Sequence, residues 1–260
     1  MFAQGINDFT VARADEPYSH LRYPVFVREA DRHTGALTGL LKNEKEVNRE
    51  VRKLNLLGYR SDELMVIEYV DSSDANGIHL KYSAFVLGEC IMSRYLNFSR
   101  NWQVKSTVYP NDELMNRRKA EVEAYMKSNP HEAWLKKVFA EAGITYGRAD
   151  YTVIHWKPQL WEINLNPAFV RPPKKIRKDH ELQRMMRDMF YNRFLEELKN
   201  IDSEADEMVR LVITDEQERL MQVGVGDRLR EWFHLRLIKD RLRYRVMRKI
   251  CFSAAGWLAR

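Results

Sequence analysis

The segment that most constrains the fold spans residues 148–167, where two short runs of alternating polar and apolar residues flank His155-Trp156-Lys157-Pro158. Successive side chains of a β-strand point to opposite faces, so this alternation predicts a two-stranded hairpin. One face of the hairpin would be apolar and would carry Tyr151, Val153, Trp161, Ile163 and Leu165. The other face would be polar.

The polar face carries Asp150, Glu162, Asn164 and Asn166. With an odd loop, for instance five residues from 154 to 158, Asp150 pairs across from Glu162 and lies diagonal to Asn164. Two carboxylates and an amide oxygen would then lie close together, which suits Mg²⁺. A solvated polar face is the alternative interpretation. However, carboxylates placed side by side repel each other, and a cation would remove that repulsion.

Composition bounds the class of protein. The chain has 260 residues, of which 45% are hydrophobic and 31% charged, so it can form one large or two modest domains with an ample core. No early segment reads as a secretory signal, and the longest apolar or small run, Ile250 to Ala259, is too short to span a bilayer. Two isolated cysteines indicate a reduced, cytoplasmic setting.

The net charge of +6 is concentrated at the C-terminal end. Residues 228–260 contain ten Lys or Arg and two acidic residues, so the rest of the chain is slightly acidic. This distribution disfavours a nucleic-acid-binding surface on the main domain. For the segment 228–250 three interpretations remain open: a helix packed on the domain with a solvated basic side, a helix lying on the anionic inner face of a membrane, or a contact with nucleic acid, although no nucleic-acid partner is expected for the chain.

The order of predicted elements gives the fold class. Strands are predicted at 23–29, 63–71, 79–87 and 89–97, and helices at 43–57, 112–128 and 131–142, before the hairpin. Apolar residues at helical spacing from Leu182 to Leu198 predict a helical C-terminal region. Grouped antiparallel strands and separate helices are typical of an α+β fold.

This layout resembles the ATP-grasp superfamily over about residues 20–170. The most specific likeness is the hairpin that ends in Trp-Glu-Ile-Asn-Leu-Asn-Pro, similar to the metal-binding strand of that family. The resemblance implies that Asp150, Glu162 and Asn164 are Mg²⁺ ligands at the phosphates of ATP. It also implies a two-lobed nucleotide-binding domain at 20–175, between a lead-in at 1–19 and a helical region at 176–260. Relatives begin with an additional lobe, which would be shortened here.

The same resemblance implies further nucleotide-binding residues. Arg28 stands where the family usually presents a phosphate-binding Lys. Segment 66–71 is similar to the linker between the lobes, so the backbone of Glu68, Tyr69 and Val70 would contact adenine and Asp71 the ribose. A second acidic residue expected after the linker is absent, and Lys81 stands nearby. Of the cations near the cleft, the resemblance favours Arg94 and Arg148 as catalytic residues that stabilise charge on the transferred phosphoryl group.

The resemblance implies an ATP- and Mg²⁺-dependent ligase that forms an acyl phosphate from a carboxylate and transfers the acyl group to an amine or thiol. Its substrate would be a small molecule or a polymer precursor. A catalytically silent nucleotide-binding or partner-binding module with a membrane-peripheral tail is the alternative. Direct phosphoryl transfer to a non-carboxylate acceptor would use the same site.

Overall fold

The computed structural model describes residues 5–30, 35–104, 112–167 and 181–202. Two compact units are found among them: residues 10–69 form one, and residues 5–9 with 70–202 form the other. The division falls between Tyr69 and Val70, inside the segment for which the family resemblance implies a linker.

The unit of residues 10–69 is a small antiparallel sheet with one helix. Its elements are β1 (Val11–Arg13), β2 (Val25–Glu29), α1 (Glu44–Leu56) and β3 (Leu64–Glu68), and the strands lie in the order β1-β3-β2. The predicted strands at 23–29 and 63–71 are confirmed in shorter form, whereas β1 was not predicted. Helix α1 is confirmed, and Asn43 caps its N-terminus, since the Asn43 side chain accepts a hydrogen bond from the Glu46 amide at 3.0 Å.

The second unit contains a four-stranded sheet and three helices. Its elements are β4 (His79–Leu87), β5 (Cys90–Ser99), α2 (Asp112–Lys127), α3 (Glu132–Ala142), β6 (Tyr146–Ile154), β7 (Lys157–Asn164) and α4 (Glu181–Ile201). The strand order is β5-β4-β6-β7, and all neighbours are antiparallel. The predicted α+β class with antiparallel sheets is thereby confirmed, as are both predicted central helices and the helix predicted from the apolar spacing between Leu182 and Leu198.

The two faces of the four-stranded sheet pack against different helices. On one face, Ala84, Val86, Ala149 and Tyr151 form a core with α3. On the other face, Phe85 packs against Phe190 of α4, with 5.8 Å between the ring centroids. Because side chains alternate along β4, Ser83 and Lys81 lie on the same face as Phe85.

The hairpin of β6 and β7 differs from the expected one in its turn. Ile154 pairs with Lys157, so the turn has only two residues, His155 and Trp156, whose φ angles are +48° and +67°. An even turn by itself would place Trp161 across from Asp150. The register shifts between Asp150 and Tyr151, however, and Trp161 is the extra residue of a β-bulge. The expected five-residue loop is therefore wrong, although the expected pairing is present.

The edge strand β7 is covered by residues near the N-terminus. The Asn7 amide group donates to the Leu160 carbonyl at 2.9 Å and accepts from the Leu160 amide at 2.7 Å. Asp8 accepts a hydrogen bond from Gln159 at 2.9 Å. An exposed sheet edge offers unpaired backbone groups to other chains, and these contacts remove two of them.

Within the described ranges, every helix is too short or too polar to cross a membrane. The basic segment 228–250 lies outside those ranges, as does most of the helical region predicted at 176–260.

Candidate functional site

A row of polar side chains crosses all four strands of the larger sheet. Tyr95 on β5 pairs with Ser83 on β4, Ser83 pairs with Asp150 on β6, and Asp150 pairs with Glu162 on β7. Paired residues of antiparallel strands point to the same face. The row therefore brings two carboxylates and two hydroxyl groups to the face that also carries Phe85.

Asp150 is the centre of this row. The residue is 3% exposed, and its carboxylate accepts hydrogen bonds from Ser83 Oγ at 2.8 Å, Arg148 Nε at 3.0 Å, Lys81 Nζ at 3.3 Å and Tyr95 Oη at 3.3 Å. A buried carboxylate is stable only with opposite charge and hydrogen-bond donors around it. Two cations and two hydroxyl groups supply both here.

The surroundings in this cluster raise the pKa of both Arg148 and Tyr95. Burial acts to lower the pKa of Arg148, but the charge of Asp150, together with the charges of Tyr95 and Glu162 and the hydrogen bond to Asp150, raises the pKa above its ordinary value. Burial, and then the charge of Asp150, raises the pKa of Tyr95. Arg148 is therefore charged and Tyr95 protonated at neutral pH, so both remain donors to Asp150.

Two carboxylates and one amide group lie on the same face of β6 and β7. Glu162 lies across from Asp150, and Asn164 lies across from Arg148, which places Asn164 diagonal to Asp150 as expected. Among the described residues, no three His, Cys, Asp or Glu side chains are grouped so that they could hold a metal ion. A metal site here would therefore need the Asn164 amide oxygen, which accepts the Asn166 amide at 3.0 Å. Two carboxylates and one amide fit Mg²⁺, which completes its shell with phosphate and water.

The two arginines predicted as catalytic occupy different places. Arg148 contacts Asp150 directly. The Arg94 guanidinium lies over the rings of Phe190 and Tyr191, with its central carbon 4.5 Å and 5.5 Å from their centroids. Arg94 is also the extra residue of a second bulge, between the pairs Ser83–Tyr95 and Ala84–Ser93. The structure thus brings Arg148 into the Asp150 cluster and places Arg94 against α4.

The predicted nucleotide-binding residues have local partners. Glu68 is 4% exposed and accepts hydrogen bonds from the Arg22 side chain at 2.8 Å and from the amides of Arg22 and Thr10 at 2.7 and 3.0 Å. The Tyr69 amide donates to the Pro24 carbonyl at 2.9 Å. The Glu68 carboxylate and the Tyr69 amide are therefore already engaged.

The other nucleotide-binding candidates lie on strands or loops. Asp71 is exposed and accepts the Ser73 amide at 2.9 Å, and Val70 before it is half-buried. Arg28 lies on β2, where its Nε donates to the Glu29 carbonyl at 3.3 Å. Of the six residues predicted to bind the nucleotide, Lys81 is the one that the structure joins to Asp150.

Sequence reasoning missed Ser83 and Tyr95. Ser83 contacts a residue 67 positions away, and the pairing of β4 with β6 sets that contact. A signal for Ser83 was present, because it alternates with Lys81 on a predicted strand. Tyr95 follows a bulged residue, so simple alternation along β5 does not assign its face.

Comparisons with known proteins give partial structural matches. No family model and no curated protein matches the chain. A D-alanine–D-alanine ligase from Bacillus anthracis is similar at 16% identity and a TM-score of 0.39, covering 77% of this chain and 66% of the ligase. The D-alanine–D-alanine ligase from Helicobacter pylori is similar at 17% identity and a TM-score of 0.40, covering 78% of this chain and 56% of that enzyme.

A third match is a RimK domain protein ATP-grasp from Sphaerobacter thermophilus DSM 20745. It gives 10% identity and a TM-score of 0.34, covering 72% of this chain and 60% of that protein. This chain therefore spans less than two thirds of the length of each of these three proteins.

Proposed function

We propose that the chain is an ATP-grasp-type ligase module that binds ATP with Mg²⁺ at the Asp150 row. The observation that carries the proposal is the pairing of Asp150 with Glu162 on a sheet face that also presents Lys81 and Arg148. Two carboxylates suit a divalent cation, and a Lys with an Arg suits phosphate oxygens. Such a combination on one face is what a metal–polyphosphate complex requires.

Asp150, Glu162 and Asn164 would hold the metal ion, which when bound neutralises phosphate charge and orients the phosphates. Arg148 presents a planar fork that can bind two phosphate oxygens at once, and Lys81 supplies a compact charge beside it. Ser83 and Tyr95 donate to Asp150 and fix the direction of its carboxylate. These roles position the reactants and stabilise charge, which is most of what phosphoryl transfer needs.

For the nucleotide base and sugar, the candidates remain the backbone of Glu68, Tyr69 and Val70, and the side chains of Asp71 and Arg28. Because the Glu68 carboxylate is held by Arg22 and two amides, it serves to anchor this segment. Any adenine contact there would therefore use backbone groups that the anchored segment presents.

The proposed reaction has two steps. A carboxylate oxygen of a small molecule or polymer precursor attacks the terminal phosphorus of ATP, the bond to the ADP oxygen breaks, and an acyl phosphate forms. An amine or thiol then attacks the acyl carbon, and inorganic phosphate leaves with the electron pair of the broken bond. Arg148 and Lys81 would stabilise the negative charge in both steps.

The test is ATP binding by the full chain with and without Mg²⁺, followed by ADP release with panels of carboxylates, amines and thiols. Glu162→Gln should abolish the Mg²⁺ dependence of binding, because it removes one of two proposed carboxylate ligands. Glu89→Gln is the matched control, since Glu89 is exposed in the turn between β4 and β5. If the Mg²⁺ dependence of ATP binding is the same in Glu162→Gln and in wild type, the metal assignment is refuted. If ATP binds but no acceptor leads to ADP release, the chain is a silent module.

A further inference from the structure

The Asp150 carboxylate already has two cationic partners. We propose that Lys81 and Arg148 are exchangeable counter-ions of Asp150, so that a divalent cation and a polyphosphate bind this face strongly together and weakly apart. This inference rests on the proposed function, because it concerns the same site. It adds that occupation by one ligand is thermodynamically coupled to occupation by the other.

The first step of the argument is burial. The side chains of Asp150, Lys81 and Arg148 are 4%, 11% and 16% exposed, so water screens their charges little. In such surroundings an unpaired charge is costly. Each of the three therefore needs an opposite charge nearby in every state of the site.

The second step is what happens when one ligand arrives alone. A divalent cation bound to Asp150 would be repelled by Lys81 and Arg148, because their side-chain nitrogens lie 3.3 Å and 3.0 Å from the same carboxylate. A polyphosphate alone would compete with Asp150 for the two basic side chains and would also face the carboxylate of Glu162 opposite. Either ligand by itself leaves like charges together.

When both ligands arrive, the charges can be redistributed. The cation takes the place of Lys81 and Arg148 at the Asp150 carboxylate, and the two basic side chains turn to the phosphate oxygens. Every charge then keeps an opposite partner. Coupling of this kind is reciprocal: the cation raises the affinity for the polyphosphate by the same factor as the polyphosphate raises the affinity for the cation.

The other contacts of Asp150 do not have to change when its cationic partners are exchanged. Ser83 and Tyr95 are neutral donors to Asp150, so they can stay in place whichever cation is present. The Tyr95 ring also lies 5.8 Å from Lys81 Nζ and 5.5 Å from Arg148 Cζ. A cation near an aromatic face is stabilised there, so the ring supports both basic side chains when they leave the carboxylate.

The experiment measures three affinities of the full chain: MnCl₂ alone by paramagnetic resonance of free Mn²⁺, ATP alone in the presence of chelator by calorimetry, and Mn²⁺ with ATP, corrected for their complex in solution. Wild type should bind each ligand alone at least tenfold more weakly than in the presence of the other. In Lys81→Met, which keeps the aliphatic stem, Mn²⁺ alone should bind about tenfold more tightly, the size of one charge-assisted contact, while ATP with Mn²⁺ binds more weakly.

Lys137→Met, an exposed position on α3, is the matched control and should change none of the three affinities. Lys81→Gln should repeat the result and provides the test if Lys81→Met does not fold, as judged by circular dichroism. The coupling would be overturned if wild type binds ATP with Mn²⁺ but neither Lys81 variant binds Mn²⁺ alone more tightly than wild type does. That result would leave the proposed function intact. Absence of Mn²⁺–ATP binding in wild type would overturn the proposed function, and the coupling with it.

Discussion

Asp150 and Glu162 lie directly opposite each other on β6 and β7, although the turn between these strands has only two residues. The bulge at Trp161 makes this possible, because it advances the register of β7 by one residue. Without it, Asp150 would face an indole ring in place of a carboxylate. The bulge is therefore the local feature on which the candidate site depends.

The charged residues of the Asp150 cluster should depend on one another in their contributions to the free energy of unfolding. Asp150→Asn leaves Lys81 and Arg148 partly buried without their counter-ion, so we expect a loss of about 3 kcal/mol in the free energy of unfolding. Lys81→Met should cost less by itself, since Arg148 still neutralises the carboxylate. In the double variant part of the cost of Asp150→Asn should be recovered, because one uncompensated charge is gone.

Urea unfolding of the four proteins in this cycle measures the coupling between the two sites. Strict additivity of the two single changes would contradict the view that Asp150 and Lys81 form one ion cluster.

The sequence predicts part of the Asp150 cluster and misses part of it. Alternation along 150–154 and 159–166 was enough to predict the hairpin, because side-chain direction in a strand follows a period of two. The pairing of Asp150 with Glu162 was predicted for an odd loop, and it is present with a two-residue turn because Trp161 is bulged. The loop length was wrong because a bulge breaks that period and leaves no unambiguous mark in one sequence. Ser83 and Tyr95 were missed for a related reason, since pairing between distant strands is fixed by tertiary packing.

Arg94 illustrates the limit of reasoning by residue type. The family resemblance favoured it as a catalytic residue, but it is bulged and its guanidinium lies over the rings of Phe190 and Tyr191 of α4. Cation–aromatic contacts of this kind depend on a helix some 90 positions later in the chain, and local pattern alone does not predict them.

The β6–β7 turn should be open to stabilisation. His155 and Trp156 both have positive φ, which is unfavourable for residues with a Cβ and typical of Asn-Gly. Trp156 is 97% exposed, so its replacement loses little buried surface. The double change His155→Asn with Trp156→Gly should therefore raise the free energy of unfolding by about 1 kcal/mol.

Thermal and urea unfolding measure this gain. Trp156→Ala is the control: it removes the ring and retains a Cβ at positive φ, so it should give no comparable gain. Equal effects of the two variants would show that ring exposure, and not backbone conformation, determines the stability of the turn.

Glu68 should make the stability of the chain sensitive to acid. Burial acts to raise its pKa, but hydrogen bonds from Arg22 and from the amides of Arg22 and Thr10 hold it below the ordinary value of 4.5. The unfolded chain then takes up the proton at a higher pH than the folded chain does. The stability contributed by Glu68 is present above pH 4.5 and is lost as the pH falls through the lower, folded pKa.

Glu68→Gln removes this titration. Relative to wild type, it should be destabilised at pH 7, and the difference in urea midpoint should shrink as the pH is lowered below 4.5. Glu89→Gln, on the exposed turn, should follow wild type across the range. A difference between Glu68→Gln and wild type that is constant with pH would contradict the assignment of the depressed pKa to Glu68.

The last prediction concerns the cover on β7. Asn7 is 7% exposed and forms hydrogen bonds to both backbone groups of Leu160, so Asn7→Ala would leave a buried donor and a buried acceptor on Leu160 unpaired. Each bond contributes about 1 kcal/mol, and an unmade one costs more, so we expect a loss of about 2 kcal/mol or more in urea unfolding. Asn55→Ala is the control, because Asn55 is exposed and its bond to Ser61 can be replaced by water. Since Leu160 lies two residues before Glu162, faster hydrogen exchange of the β7 amides in Asn7→Ala should accompany the loss, and unchanged exchange would show that the cover does not hold the strand that carries Glu162.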